Sequence, residues 1–281
     1  MNGRVPGAER AGVFLAVLGV LIVPVARARA EEPIAPATPA AGAAAPLGGT
    51  RFSIAREASL IALDGVGYAA TRVGAGTSAA TLDRFPLDPA TISLGIDRWV
   101  VDRHGHVAAR VSDGLVPGLI ALPLLYVIGE AIAGLAASRP RMGWMLGRDV
   151  LVLAETFLTT TVLVEMSKSA VARPRPFTYR ADLGGYEANG DAVRSFFSGH
   201  SATAFAAATT FSIFFLSKRS AAPVGVKAAV VALSYVLAAT TATLRVMAGK
   251  HFWTDVAVGS AVGILVGAVV PLAHGALDEA P

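Results

Sequence analysis

Five long apolar runs in the second half of the chain constrain its fold more than any other sequence feature. None of them alternates apolar and polar residues as a half-buried strand does. A hydrocarbon layer about 30 Å thick takes about 20 helical residues, so the shortest run must borrow flanking positions or tilt. The sequence therefore predicts an all-α, multi-span transmembrane helix bundle with about five spans after an N-terminal signal or anchor. The runs cover residues 115–136, 150–166, 202–216, 224–244 and 256–272.

The overall composition supports membrane embedding and excludes several functional classes. Hydrophobic residues make up 54% of the chain and charged residues 16%, which is too apolar for an ordinary soluble domain. The net charge is +4, but the basic residues are scattered among apolar runs, so nucleic acid is not an expected partner. The absence of cysteine excludes thiolate catalysis and zinc–thiolate sites.

The N-terminal part predicts export or anchoring. Residues 1–30 combine two arginines, an apolar stretch and the small-residue pattern Ala28-Arg29-Ala30, which predicts a signal peptide, with an uncleaved anchor as the alternative. Residues 31–49 form an Ala/Pro-rich tether that cannot bury a core.

Residues 50–114 are predicted to form an extracytoplasmic or interfacial helical segment. Apolar residues between Ile92 and Val111 recur at helical spacing with charges between them, which favours an amphipathic helix. His104 and His106 flank a glycine in this segment; a metal-ligand pair is conceivable, but a solvated loop is the favoured interpretation because nothing completes a site. Residues 115–275 then form the membrane core, and 276–281 a C-terminal tail.

Charge distribution predicts the orientation of the bundle. If the chain enters the membrane from outside at Leu115, the basic loops 138–148 and 217–227 face the cytoplasm, in agreement with the positive-inside rule. The segments 167–201 and 245–255 then lie at the outer face. They are also basic, which the rule does not explain, and phosphate binding would explain it.

The outer segments contain the residue types that phosphoryl transfer requires. Arg175 and Arg245 can each direct two N–H groups at phosphoryl oxygens, and Lys168 adds a point charge. Ser198 and Gly199 precede an apolar run, so their backbone N–H groups are expected at a helix N-terminus that binds anions. His251 and Asp255 are four residues apart, which lets the carboxylate hold one imidazole nitrogen and leaves the other as nucleophile. The remaining imidazole, His200, is available to protonate the departing oxygen.

At these positions the sequence resembles the type 2 phosphatidic acid phosphatase superfamily. The signature of that family is Lys, six residues and Arg-Pro; then Pro-Ser-Gly-His; then Ser-Arg, five residues, His, three residues and Asp. Two uncharged positions depart from it, because Phe197 replaces the usual Pro and Leu244 the usual Ser. The matching elements are Lys168 with Arg175-Pro176, Ser198-Gly199-His200, and Arg245 with His251 and Asp255.

The resemblance implies a mechanism without metal or other cofactor. It implies that His251 forms a phosphohistidine, that Asp255 orients it, and that His200 acts as acid and then activates water. The cations Lys168, Arg175 and Arg245 would hold the phosphate. The expected substrate is an amphiphilic phosphomonoester or diphosphate, bound among membrane lipids at the outer face of a bacterial inner membrane. Two alternatives remain: a vanadate-dependent haloperoxidase of the same fold, and a non-catalytic phospholipid-binding membrane protein.

Two further expectations concern the bundle itself. Gly259, Gly263 and Gly267 are spaced four apart, which predicts a helix face that approaches a neighbouring helix closely. Glu130 and Glu155 lie within apolar runs, so each is expected to be protonated, paired or directed into the bundle.

Overall fold

A computed structural model of the chain describes residues 65–69, 85–187 and 189–276. The predicted signal peptide or anchor (1–30), the tether (31–49) and residues 277–281 of the predicted tail lie outside the described residues. Each of the five apolar runs lies within a long helix, and the described residues contain no strand, so the predicted all-α bundle is confirmed. The long helices are α1 (His106–Ala136), α2 (Met142–Val171), α3 (Gly199–Lys218), α4 (Val224–Met247) and α5 (Trp253–Ala273).

Four of these helices, α1, α2, α4 and α5, are long and apolar enough to cross a membrane. The fifth, α3, has 20 residues and is rich in Ala, Ser and Thr. It lies at the centre of the bundle and contacts all four of the others, most extensively α5. Because its neighbours surround it, α3 does not need the hydrophobicity of a lipid-facing span.

The predicted glycine face on α5 is confirmed. A Cβ atom at Gly259 would lie 2.6 Å from the carbonyl oxygen of Ser198, and one at Gly267 would lie 2.6 Å from that of Ala206. A Cβ at Gly263 would overlap the backbone of Ala202. The two helices therefore pack backbone against backbone, which only residues without side chains allow.

Residues 92–111 do not form the single amphipathic helix that their periodicity predicts. The structure has short helical turns at Pro89–Thr91, Gly95–Arg98 and Trp99–Asp102, followed by a break before α1. The break forms because the chain turns at Gly105, whose N–H donates to the carbonyl oxygen of Met247 at the end of α4 (3.0 Å). The turns pack instead on the ends of α4 and α5, where Ile92, Val100 and Val101 join a buried cluster with Val246, Phe252 and Val256.

The predicted boundary between residues 114 and 115 also falls inside a helix, because α1 begins at His106. The polar sequence Ser112-Asp113-Gly114, just before the apolar run 115–136, lies inside the helix without interrupting it. This first part of α1 lies beside the start of α3 and the end of α4. The long connection between α2 and α3 is also ordered by short 3-10 turns, at Pro176–Tyr179, Leu183–Gly185 and Gly190–Val193.

The acidic residues within the apolar runs are paired, which is one of the three expectations for them. They lie at the end of the bundle that carries the loops 138–148 and 217–227. Glu130 accepts from Arg219 at 2.9 Å, and Glu155 lies 3.2 Å from His274. Asp149, on α2, pairs with Lys218 at 2.8 Å. These ion pairs join α1, α2, α3 and the residues after α5 at the end that the positive-inside rule assigns to the cytoplasm.

Candidate active site

The helix directions bring the three sequence motifs to one end of the bundle. Helices α2 and α4 end there, and α3 and α5 begin there. Lys168 lies in the last turn of α2, and Arg175 lies in the loop just after that helix. Ser198-Gly199-His200 form the start of α3, and His251 lies in the turn between α4 and α5. Backbone contacts join these segments: the N–H of Ser198 donates to the carbonyl oxygen of Asp255 (3.1 Å).

His251 is buried, with 2% of its side chain exposed, and both of its ring nitrogens have defined neighbours. Nδ1 lies 2.8 Å from the carbonyl oxygen of Ser195, an acceptor only, so Nδ1 carries the proton. Nε2 lies 3.2 Å from Nη1 of Arg175, a donor only, and therefore presents a lone pair. Burial lowers the pKa of His251 well below its usual value, and Arg175, Arg245, Lys168 and His200 lower it further. The imidazole is therefore neutral near pH 7.

Asp255 contacts His251 less directly than the four-residue spacing suggested. Its Oδ2 is 3.7 Å from Nδ1 of His251, beyond hydrogen-bond distance. Oδ2 instead accepts from the hydroxyl of Ser195 (2.5 Å) and from the N–H of Phe252 (2.9 Å). The carboxylate thus fixes Ser195, whose carbonyl oxygen is the hydrogen-bond acceptor of His251, and it caps the N-terminus of α5. It orients the imidazole through the backbone rather than by direct contact.

Both motif arginines are almost fully buried and directed into the same region. Arg175 donates to the carbonyl oxygens of Asp191 (2.8 Å) and Lys250 (3.0 Å), which fixes its guanidinium next to His251. Arg245 donates to the hydroxyl of Ser112 at 3.1 Å. Its Nε is buried and has no hydrogen-bond partner among the described residues. A buried guanidinium with an unused donor is suited to an anion.

The third cation, Lys168, lies at the end of α2. Its ammonium pairs with Glu165, one helical turn earlier, at 3.2 Å. Glu165 also pairs with Arg194 at 2.7 Å. A Cβ atom at Gly199 would lie 3.8 Å from Nζ of Lys168, so the ammonium lies beside the start of α3.

The start of α3 combines a capping residue with an exposed helix terminus. Ser198 is the N-cap, and its hydroxyl accepts from the N–H of Ser201 (3.3 Å) and from the Ser201 hydroxyl (3.0 Å). Since its own N–H is bound to Asp255, Ser198 holds the loop in place, and the amides of Gly199 and His200 are the ones at the helix terminus. Nε2 of His200 lies 2.8 Å from Oδ1 of Asp113.

Several residues that contact the motif residues were not singled out from the sequence. Arg173 bridges two buried carboxylates, pairing with Asp255 at 2.5 Å and with Asp97 at 2.9 Å. Its position between Lys168 and Arg175 was the available signal. Asp113 and Asp191, which pair with Arg245 and Arg175 at 2.7 Å each, gave no such signal, because they lie far from those arginines in the sequence or in an irregular loop.

The contacts and burial of four further residues can be described: the histidine pair considered as a metal site, and the two positions that depart from the family signature. His106 packs on the ring of Tyr186, with centroids 4.8 Å apart, and Nδ1 of His104 lies 3.3 Å from the carbonyl oxygen of Asp102. Within residues 65–69, 85–187 and 189–276, no group of three or more acidic or histidine side chains could hold a metal ion. Phe197 is fully buried in the core between the helices, whereas Leu244 is only partly buried.

Comparison with known proteins shows which family the part of the chain that carries this site resembles. The family model of the PAP2 superfamily matches residues 149–278, which include every motif residue. The lipid A 1-phosphatase of Porphyromonas gingivalis (strain ATCC 33277) is 39% identical over 79 residues, a stretch that covers 28% of this chain and 16% of that protein. The chain thus spans only a small part of the length of this relative. No solved structure shows a significant match to the chain.

Proposed function

Because the family model of the PAP2 superfamily matches residues 149–278, we propose that the protein is a metal-independent phosphatase of that superfamily. In this proposal it hydrolyses the terminal phosphate of a lipid phosphate or diphosphate, through a phosphohistidine intermediate, at the periplasmic face of the membrane. The observation that carries the proposal is the environment of His251: a buried, neutral imidazole whose Nε2 lies 3.2 Å from the guanidinium of Arg175.

The first half of the reaction transfers the phosphoryl group to the protein. Burial lowers the pKa of His200 to about 4 in the free protein, and the negative charge of the bound substrate raises it again, so His200 takes up a proton with the substrate. The lone pair of His251 Nε2 then attacks phosphorus while the bond from phosphorus to the leaving oxygen breaks, and protonated His200 donates its proton to that oxygen. The dephosphorylated lipid leaves. The Ser195 carbonyl oxygen keeps the proton on Nδ1 and stabilises the positive charge that develops on the ring.

The second half returns the protein to its starting state. His200, now neutral, takes a proton from water, whose oxygen attacks phosphorus as the bond to Nε2 of His251 breaks. Inorganic phosphate is released. Arg175, Arg245 and Lys168 stabilise the phosphoryl oxygens in both transition states, and the Gly199 amide at the start of α3 adds a donor. These permanent cations supply charge stabilisation of the kind that a metal ion supplies in other phosphatases.

The lipid nature of the substrate is supported by position and by similarity. The site lies at one end of a bundle in which four helices can cross a membrane, so an acyl or prenyl tail can remain in the bilayer while its phosphate reaches His251. The similar protein from P. gingivalis is named for a phosphatase activity on lipid A. The basic residues at the opposite end of the bundle favour a cytoplasmic location for that end, which would leave the site facing the periplasm.

The proposal is tested by phosphate release from the purified protein in detergent. Wild-type protein is expected to release inorganic phosphate from phosphatidic acid or a prenyl diphosphate in the presence of EDTA. His251→Ala is expected to reduce release by on the order of 10³-fold or more, because it removes the nucleophile. His104→Ala, which removes an exposed histidine near the same end, serves as the matched control and should retain wild-type activity.

Three results would contradict the proposal in different ways. Turnover that persists in His251→Ala would refute the assignment of the nucleophile. Inhibition by EDTA would show that a metal participates. Peroxide-dependent halide oxidation in the presence of vanadate, without phosphate release from any lipid, would favour the haloperoxidase alternative.

A further inference from the structure

An exposed carboxylate contacts a buried arginine and a partly buried histidine that the proposed reaction uses. Oδ1 of Asp113 lies 2.7 Å from Nη1 of Arg245 and 2.8 Å from Nε2 of His200. The side chain of Asp113 is 58% exposed, whereas that of Arg245 is 6% exposed. Asp113 belongs to α1 and precedes the residues matched by the family model, so the family resemblance does not account for it.

The position of this oxygen matches that of a substrate oxygen. In the proposed reaction, Arg245 donates to the phosphoryl group and His200 donates to the leaving oxygen of the same group. A single oxygen atom within hydrogen-bond distance of both therefore occupies a place that bound phosphate requires. The carboxylate and the phosphate cannot both take it.

The surroundings allow the carboxylate to leave without disturbing the arginine. Because Asp113 is more than half exposed, it can rotate into solvent, where water satisfies its oxygens. Arg245 keeps its hydrogen bond to the hydroxyl of Ser112, which in turn donates to the carbonyl oxygen of Ala109 (2.8 Å). The guanidinium therefore stays in position when its charge partner moves.

The second motif arginine shows the same arrangement. Oδ2 of Asp191 lies 2.7 Å from Nη2 of Arg175, and Asp191 is 59% exposed while Arg175 is 4% exposed. Arg175 also remains fixed without this carboxylate, because backbone carbonyl oxygens accept its other N–H groups. Two independent pairs thus combine a fixed, buried cation with a displaceable acid.

We propose that Asp113 competes with phosphate for Arg245 and His200 and thereby promotes release of inorganic phosphate after each turnover. This inference rests on the proposed function. Three cationic side chains around one phosphoryl group would bind the inorganic phosphate product strongly. The lipid has already left at this stage, so a tail that partitions into the bilayer cannot help to remove the phosphate. A carboxylate that returns to the same donors lowers the affinity for phosphate, both by occupying its place and by charge repulsion.

The test is direct binding of inorganic phosphate to the full chain in detergent, measured by calorimetry at pH 8, with inhibition of lipid phosphate hydrolysis as a second measurement. Asp113→Asn is expected to lower both the Kd and the inhibition constant for phosphate at least about five-fold, since competition and repulsion are removed together. Asp113→Glu, which keeps the charge, should remain near wild type. Asp182→Asn is the matched control, because Asp182 is an exposed acid paired with Arg180 in the same region.

The sign of the change decides the question. A structural or positioning role for Asp113 predicts weaker phosphate binding in Asp113→Asn, and an unchanged or raised Kd would overturn the inference. If that variant does not fold, Asp191→Asn provides the same test at Arg175. The binding measurement does not require turnover. If the wild-type protein binds phosphate but releases none from any lipid, this result would count against the proposed function. The phosphate Kd values of the wild-type protein and Asp113→Asn could still be compared.

Discussion

At the scale of residues, the end of the bundle that carries the motifs concentrates positive charge around one neutral imidazole. Burial keeps His251 unprotonated, and the positive charges of Arg175, Arg245 and Lys168 add to this effect. Carboxylates balance these cations in two ways. Asp255 and Asp97 are buried and joined by Arg173, so they maintain the structure, whereas the exposed Asp113 and Asp191 can give way to an anion.

A fourth cation, Lys250, precedes the proposed nucleophile and gives the site a predicted pH dependence. Its ammonium lies 3.5 Å from the ring centroid of Tyr186 and 5.2 Å from that of Phe177. Burial lowers the pKa of Lys250 to about 8, and Arg175 and Arg245 contribute to the decrease. A group with this pKa is charged below pH 8 and neutral above it, so the positive potential at the site falls as the pH rises through 8.

We therefore expect kcat/KM for a lipid phosphate to decline above about pH 8 in the wild-type protein, because kcat/KM reports the free enzyme. The decline should disappear in Lys250→Arg, since a guanidinium stays protonated to above about pH 12. Profiles of kcat/KM between about pH 6 and 10 check this, with Lys227→Arg, at the opposite end of the bundle, as the control. An unchanged basic limb in Lys250→Arg would show that another group causes the decline.

At the scale of elements, the contact between α3 and α5 sets the geometry of the site. The three glycines let the backbones of the two helices approach closely along their length. Ser198 can therefore donate its N–H to the carbonyl oxygen of Asp255, which holds the start of α3 next to the start of α5. The proposed acid His200 and the proposed nucleophile His251 are carried by these two adjacent starts.

Gly263→Ala should weaken this contact, because the new Cβ would overlap the backbone of Ala202 rather than a movable side chain. Overpacking of this kind costs about 1–3 kcal/mol, so we expect a lower Tm in detergent and a reduced kcat as the helix starts separate. Gly129→Ala on α1 is the matched control, since nothing lies within 4 Å of a Cβ there. Equal Tm values for the two variants would contradict the packing argument.

At the scale of the whole molecule, the two ends of the bundle use charge differently. At the end that carries the 138–148 and 217–227 loops, acids on α1 and α2 pair with basic side chains and join the helices. At the other end, basic side chains surround His251 and the start of α3. This asymmetry agrees with the proposed location of the site on the outer face, because the first end can follow the positive-inside rule while the second would bind the substrate.

The proposed orientation can be tested directly because the chain contains no cysteine. Ala181→Cys places a thiol at an exposed position in the loop near the site, and Ser220→Cys places one at an exposed position at the opposite end. In intact spheroplasts, a membrane-impermeant maleimide should label Ala181→Cys and should label Ser220→Cys only after permeabilisation. The reverse pattern would place the site in the cytoplasm.

The sequence alone predicted the membrane helices and the glycine face of α5. It also predicted that Glu130 and Glu155 are protonated, paired or directed into the bundle, and the structure shows them paired. These features follow from local rules: apolar length, four-residue spacing, and the cost of an unpaired charge in a hydrocarbon layer. The motif spacing also selected His251, His200, Asp255 and the phosphate-binding candidates, whose roles remain predictions. The periodicity of residues 92–111 was misleading, because the contact of Gly105 with α4 interrupts the helix.

Only the tertiary structure decided which groups contact one another at the site. The sequence gives no indication that Ser195, rather than Asp255, accepts the proton of His251, since that depends on how the loop before α3 lies against the start of α5. The contacts of Arg173 with Asp97 and of Asp113 with Arg245 likewise join residues far apart in the chain. Apolar spacing along a helix is a local property, whereas a charge partner is determined by packing between elements, and for that reason the bundle was predictable and these contacts were not.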